Sequence, residues 1–299
     1  MNRIPERYQA PAHIVAGAVF ISFSGIWVAW SQVDPMVSAF YRVLFGVLFL
    51  APVCLIKDKI QRISPKTSLL IILCGLCFAS DLYCWHISIV YVGPGLATIL
   101  GNFQVFALTI VSLLFFGQPI RALFLVSLPL AFTGLFLIIG INWSSLPEHY
   151  QLGVYFGLAT AIFYVFFILS LRKIQQIEKN ISFLYTLLLV SLATSVVLAL
   201  LLIISGISFK IPNLYSLGSL VGLGLFSQTI GWAYITKSLP LVMPSMAGLI
   251  LLLQPSLAFF WDVLIFERPT SAMQWFGVLI VLTAIYLGMR SSHRSTDGR

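Results

Sequence analysis

Apolar residues run along this chain in blocks of about twenty, each closed by proline, glycine or a charged residue, and such blocks are too long and continuous for strands. A hydrocarbon core about 30 Å thick is crossed by about 20 residues of helix rising about 1.5 Å each. The punctuation cuts out ten such runs, near 12–32, 36–56, 67–90, 94–116, 121–141, 152–172, 181–205, 214–237, 242–264 and 271–290. The pattern therefore predicts an all-α integral membrane protein of ten transmembrane helices, most of them joined as antiparallel hairpins by short links. Residues 1–11 and 291–299 are left as polar tails.

A second regularity organises these runs. Cys74 to Pro119 reappears as Val221 to Pro269: Gly75, Ser80 and Trp85 fall on Gly222, Ser227 and Trp232 at a spacing of 147, while Pro94, Ala97, Phe116 and Pro119 fall on Pro244, Ala247, Phe266 and Pro269 at 150. Because the matched positions are Gly, Pro, Ser and Trp, a Leu-rich composition does not account for them, and the chain reads as an internal duplication. The repeats are 12–141 and 152–290, five helices each. An odd number sends the second copy into the membrane from the opposite side, so the repeat is inverted. Inverted repeats give two near-equivalent packings with a site near the bilayer midplane where the halves meet, the architecture of alternating access.

Composition agrees with this picture and removes others. With 60% hydrophobic and 9% charged residues, the chain lacks the polar surface of a water-soluble domain. The net charge of +8 would suggest nucleic acid in a soluble protein, but here its placement decides. With the N-terminus inside, 14 of the 17 Lys and Arg fall on inner segments, which puts both termini in the cytoplasm. Lys210 and Arg268 fall outside and Arg42 lies within a span. The link from Asn142 to Gln151 carries no Lys or Arg and forms the external seam between the halves. Of the four cysteines, Cys74 and Cys77 have a C-x2-C spacing with no second pair or His pair to complete a metal site, so no metal is expected. Arg3, Arg7 and the first apolar run fit a first spanning helix better than a cleaved leader.

Charge inside a membrane costs at least about 2.5–3.5 kcal/mol, so each buried ionisable group needs a reason. Asp81 in the third span lies about 14 Å, and Arg42 in the second about 10 Å, below the outer helix ends. At those depths the two can meet. One reading makes them a structural ion pair; the other gives Asp81 a cationic substrate group or a proton and Arg42 a carboxylate. Asp81, Trp85 and Ser88 follow i, i+4, i+7 on one face, and Gln228, Trp232 and Ile235 repeat that face in the eighth span. Thr98, Asn102 and Thr109 form a polar stripe in the fourth span, with Gln104 pointing elsewhere. Gln254 precedes Pro255 mid-membrane, where a proline frees a backbone carbonyl. His86 is expected as an interhelical partner, and Asp262 and Glu267 as solvated residues at an outer end. The candidate substrate-binding set is Arg42, Asp81, Trp85, Asn102, Gln228, Trp232 and Gln254, with no catalytic residue and no cofactor.

With these residues in place, the chain resembles the drug/metabolite transporter superfamily, specifically proteins with two EamA-type domains. The resemblance rests on Pro35 to Arg42, on Gly75 to Trp85 leading into Gly93-Pro94-Gly95-Leu96-Ala97, on Gly101-Asn102-Phe103-Gln104, on Gln254-Pro255 and on Phe266-Glu267-Arg268-Pro269. It implies an ATP-independent, alternating-access carrier of the bacterial inner membrane, usually an exporter of amino acids or other small metabolites, with a central cavity between the halves. The chain departs from the family at Gly117-Gln118-Pro119, where Gly-Glu and a basic residue are usual, and in lacking a mid-helix proline in the fourth span.

Three functions follow for comparison: export of amino acids or similar small metabolites; efflux of aromatic or quaternary organic cations, suggested by indoles beside one acid; and an intramembrane lipid-modifying enzyme. The last lacks any His–acid cluster or Ser-His-acid arrangement at plausible depth. The expected partners are a small-molecule substrate, coupled protons through Asp81, and membrane lipid, with no nucleic acid, in a monomer or homodimer.

Overall fold

A computed structural model describes residues 6–57, 63–104, 106–107, 110–111, 122–139, 146–178, 181–238, 250–251 and 253–293. Several helix starts are written locally. Asp34 Oδ1 accepts from the Met36 amide (2.8 Å), Ser64 Oγ from Thr67 (3.2 Å), Ser182 Oγ from Tyr185 (3.1 Å) and Asn213 Oδ1 from Ser216 (2.8 Å). Each satisfies an amide that has no partner in the first helical turn. Asp34 and Ser182 open matching helices of the two repeats, as do Ser64 and Asn213.

The helices they open are α1 (Glu6–Ser22), α2 (Ser24–Ser31), α3 (Pro35–Lys57), α4 (Pro65–Val92) and α5 (Pro94–Gly101). After the gap come α6 (Ala122–Ile139), α7 (Glu148–Ile177), α8 (Phe183–Ile204) and α9 (Leu214–Gly222), then a π-helical stretch (Leu223–Gly231), α10 (Trp232–Ser238), α11 (Leu253–Phe266) and α12 (Ala272–His293). Six spans are long and apolar enough to cross a membrane: Gln9–Ser31, Pro35–Ile56, Pro65–Val92, Ala122–Ile139, Glu148–Leu171 and Phe183–Ile204; Leu253–Phe266 and Ala272–Leu287 are shorter and apolar. The first of these crossings joins α1 and α2 through Phe23 and ends at Gln32, whose φ of 53° turns the chain out of the helix.

Two expectations are modified. The continuous fourth helix is interrupted by a turn at Asn102 and Phe103, where the Asn102 side chain bonds the Thr98 carbonyl (2.8 Å) and competes with the backbone ladder. The eighth span is helical throughout but widens into the π-helical stretch, within which the Thr229 hydroxyl donates to the Gly224 carbonyl at 2.9 Å. Thr109, Phe116 to Pro119, Trp143, Pro244 and Ala247 lie outside the described residues.

The two halves interleave. Helix α4 of the first repeat packs along α7 and α8 of the second, α6 packs along α12, and α5 along α11. Two apolar clusters result. One gathers Leu96, Ile99, Leu100, Phe124, Leu135, Phe259 and Val281; the other gathers Val37, Phe78, Leu82, Phe167, Leu171, Val190 and Leu198. Gly134 of α6 faces Gly277 of α12, and a Cβ on Gly134 would lie 2.7 Å from the Gly277 carbonyl oxygen; such small residues let helix backbones approach closely where hydrocarbon supplies no hydrophobic drive.

At the predicted outer end, the α4–α5 joint is fastened to α11. Asp262 is 2% exposed, pairs with Arg268 at 2.9 Å and accepts the Gly95 amide at 3.1 Å; Arg268 also donates to the Val92 carbonyl at 2.9 Å. Asp262 is thus buried and paired instead of solvated, because the joint folds back over it. Gly93 makes this fit possible: its φ is +85°, and a Cβ there would lie 2.9 Å from Asp262 Oδ2.

Candidate functional site

Residues of both halves enclose a cavity of about 290 Å³, close to the lower end of the ligand-pocket range. The first repeat contributes Ile21, Ser24, Arg42, Phe78, Asp81, Leu82, Trp85, Thr98, Gly101, Asn102 and Gln104; the second contributes Thr160, Tyr164, Ile168, Trp232, Ile235, Leu251 and Gln254. Six of the seven residues singled out from sequence border it. Gln228 does not: it is wholly buried behind Arg42.

The helical face expected on α4 is present only in part. Phe78, Asp81, Leu82 and Trp85 meet the cavity, whereas Ser88 is buried against Gly157 of α7. The matching face differs, since Trp232 and Ile235 line the cavity while Gln228 turns away. A π turn holds more residues than an α turn, so the stretch before Trp232 puts Gln228 on a different bearing from its counterpart Asp81. Gln104, expected to point elsewhere, lines the cavity because the turn at Asn102 and Phe103 re-aims the chain.

Arg42 and Asp81 are 6% and 5% exposed and border the same space. They do not pair: among the described residues no ion pair within 4.0 Å joins them. Arg42 Nε donates instead to Gln228 Oε1 at 3.1 Å, and its guanidinium carbon stands 5.3 Å from the centre of the Trp85 ring. That is cation–π distance. The backbone carbonyl of Asp81 accepts from Thr160 Oγ1 at 3.3 Å, which ties α4 to α7 at the level of the acid. His86 faces α3, its Nδ1 sharing a 2.5 Å hydrogen bond with Ser38, while Nε2 is buried without a hydrogen-bond partner among the described residues. It serves helix packing and does not line the cavity.

Sequence reading missed Thr160, Tyr164 and Ile168. They recur every four residues in α7 and so share a face, a signal obscured because the surrounding helix is apolar all round. Ser191 of α8, which accepts from Gln228 Nε2 at 3.4 Å, carried no sequence signal of its own.

A membrane-spanning helical bundle in which two repeats jointly wrap a cavity, lined among the described residues by one cation and one anion, is the architecture of a carrier. The chain belongs to the EamA-like transporter family, which matches it twice, over residues 12–140 and 151–290. It is a membrane transporter of the drug/metabolite type with two EamA repeats. Its fold is similar to that of a solved structure described as the crystal structure of a protein, with 14% identity, a TM-score of 0.67 and coverage of 94% of this chain and 98% of that one. A search of curated proteins found no match.

Proposed function

We propose that this transporter works by alternating access, without ATP, and exports amino acids or similar small metabolites across a bacterial inner membrane. The observation that carries the reading is a buried cation and a buried anion that border one cavity without forming an ion pair with each other among the described residues. Among the described residues neither the Arg42 Nη donors nor the Asp81 carboxylate is hydrogen-bonded, and buried charges at this depth are costly unless something answers them. An α-amino acid carries both complements. The apolar lining from Ile21, Leu82, Ile168 and Ile235 suits an aliphatic or aromatic side chain. Protons replace the ammonium group on Asp81 when the substrate has left.

The alternative, efflux of aromatic or quaternary cations, draws on Trp85 and Trp232 around Asp81. It is weakened by the Arg42 guanidinium lying against the Trp85 ring, where a cationic substrate would have to stack beside a resident positive charge.

Ten spans with both termini in the cytoplasm complete the proposal. Reporters fused after Arg62 and after Arg299 read cytoplasmic, and one placed between Asn142 and Gln151 reads external; an external Arg62 removes the inversion. For the substrate, proteoliposomes loaded with labelled L-leucine are challenged with unlabelled amino acids and with tetraalkylammonium salts. Exchange driven by amino acids and untouched by the ammonium salts is expected, and the opposite pattern replaces this reading with cation efflux.

A further inference from the structure

Two opposite charges on adjacent helices, both nearly excluded from solvent and both facing one cavity, attract strongly in a poorly screened interior. Left to themselves they close on each other. Here they stay apart, and the contacts of Arg42 identify what holds them. Its Nε is engaged by Gln228 Oε1 at 3.1 Å, and its guanidinium plane lies against Trp85. Gln228 has little freedom of its own. It is fully buried, its Nε2 donates to Ser191 Oγ at 3.4 Å, and its stem rests on Gly46. A Cβ at Gly46 would stand 2.5 Å from Gln228 Cγ, so the glycine on α3 is what gives the glutamine room.

We infer that Gln228 is a positioning residue: without touching the cavity, it anchors Arg42 by Nε against Trp85 and thereby keeps the guanidinium from collapsing onto Asp81, leaving both charges open to one substrate. The final clause rests on the reading that Arg42 and Asp81 receive substrate; the anchoring itself does not. A neutral amide suits the task. It accepts from Nε without cancelling the charge, whereas a carboxylate here would compete with the substrate for the arginine.

The prediction is tested first in substrate-free protein. In the native background, Arg42→Gln and Asp81→Asn show the modest coupling of two charges held apart without a hydrogen bond. In a Gln228→Leu background the freed guanidinium pairs with Asp81, so the interaction energy of the same cycle grows clearly. A coupling no larger in Gln228→Leu than in the native background overturns the inference. Gly46→Ala crowds the same glutamine from α3 and supplies a second route to the enlarged coupling should Gln228→Leu fail to fold.

The second arm measures L-leucine. Gln228→Leu raises its KM at least tenfold with a smaller change in maximal rate, because the ligand must first break the new pair, and Gln228→Glu returns the coupling to its native size without restoring KM. An unchanged KM in Gln228→Leu, with the enlarged coupling present, overturns the substrate reading and leaves the anchoring intact. Wild-type protein that ignores L-leucine points the same way, while the melting cycle still decides the role of Gln228.

Discussion

The helix Pro65–Val92 and the composite helix Leu214–Ser238 occupy equivalent places in the two repeats, yet they bring different chemistry to the same cavity. From the first come an acid and an indole, Asp81 and Trp85; from the second come Trp232 and Ile235, while the residue matching Asp81 turns away to hold Arg42. Both matched tryptophans line the cavity, and among the described residues only the first repeat brings an acid to it. Residue type and winding together account for the difference: position 228 is a glutamine, and the π-helical stretch from Leu223 to Gly231 lies between Gly222 and Trp232, the glycine and indole matched across the repeats. Repeats supply equivalent positions. The local winding of the backbone then decides which side chain each position presents.

The sharpest way to break this comparison is to move the acid. Asp81→Asn removes the only anion bordering the cavity among the described residues and keeps its shape; transport falls by about 100-fold or more, the equivalent of about 3 kcal/mol, with the protein still monodisperse in detergent. Exchanging the pair, Asp81→Gln with Gln228→Asp, does not restore it, because position 228 is behind the arginine and not in the cavity. Recovery of transport in the exchanged variant would show the two helices to be interchangeable.

The ends of the two helices differ as well. Arg268 donates to the carbonyl of Val92, the last residue of α4, and pairs with Asp262; by the repeat spacing, Ser112 and Gln118 stand where these two charges would be in the first half. Arg268→Gln leaves a buried carboxylate alone and lowers stability by about 3–5 kcal/mol, and adding Asp262→Asn returns much of the loss. Thermal melts of the single and double variants check this. Gln118→Leu, by contrast, is expected to shift the melt little, within about 0.5 kcal/mol of wild type.

Smaller effects distinguish the two indoles. Trp232→Ala weakens L-leucine binding by about five- to tenfold, near the ~1 kcal/mol of a partly desolvated aromatic contact. Trp85→Ala loses that contact and also frees one side of Arg42, so it weakens binding more than Trp232→Ala does. Titrations on purified protein rank the two variants; equal losses would mean that the arginine does not depend on Trp85.

Much of this protein was legible in the order of its residues. The six long apolar spans and the duplication follow from local pattern, since a hydrocarbon core demands uninterrupted apolar helix; the caps at Asp34, Ser64, Ser182 and Asn213 obey equally local rules but were not singled out from the sequence. Depth within a helix was also readable, since rise per residue is nearly constant, and it put Arg42 and Asp81 close enough in depth to meet. What escaped was direction. Asp262 reads as a solvated residue at a helix end, yet the α4–α5 joint folds over it and supplies Arg268 and Gly95 as partners. Gln104 was assigned to another face by an α-helical count that the turn at Asn102 interrupts. Gln228 was placed beside Asp81's face by the same count, and nine residues of π winding carried it elsewhere. Spacing along a chain determines which residues share a depth, because rise accumulates locally; which of them meet, and whether two opposite charges pair or stay apart, is decided only by the neighbouring helices that occupy the space between them.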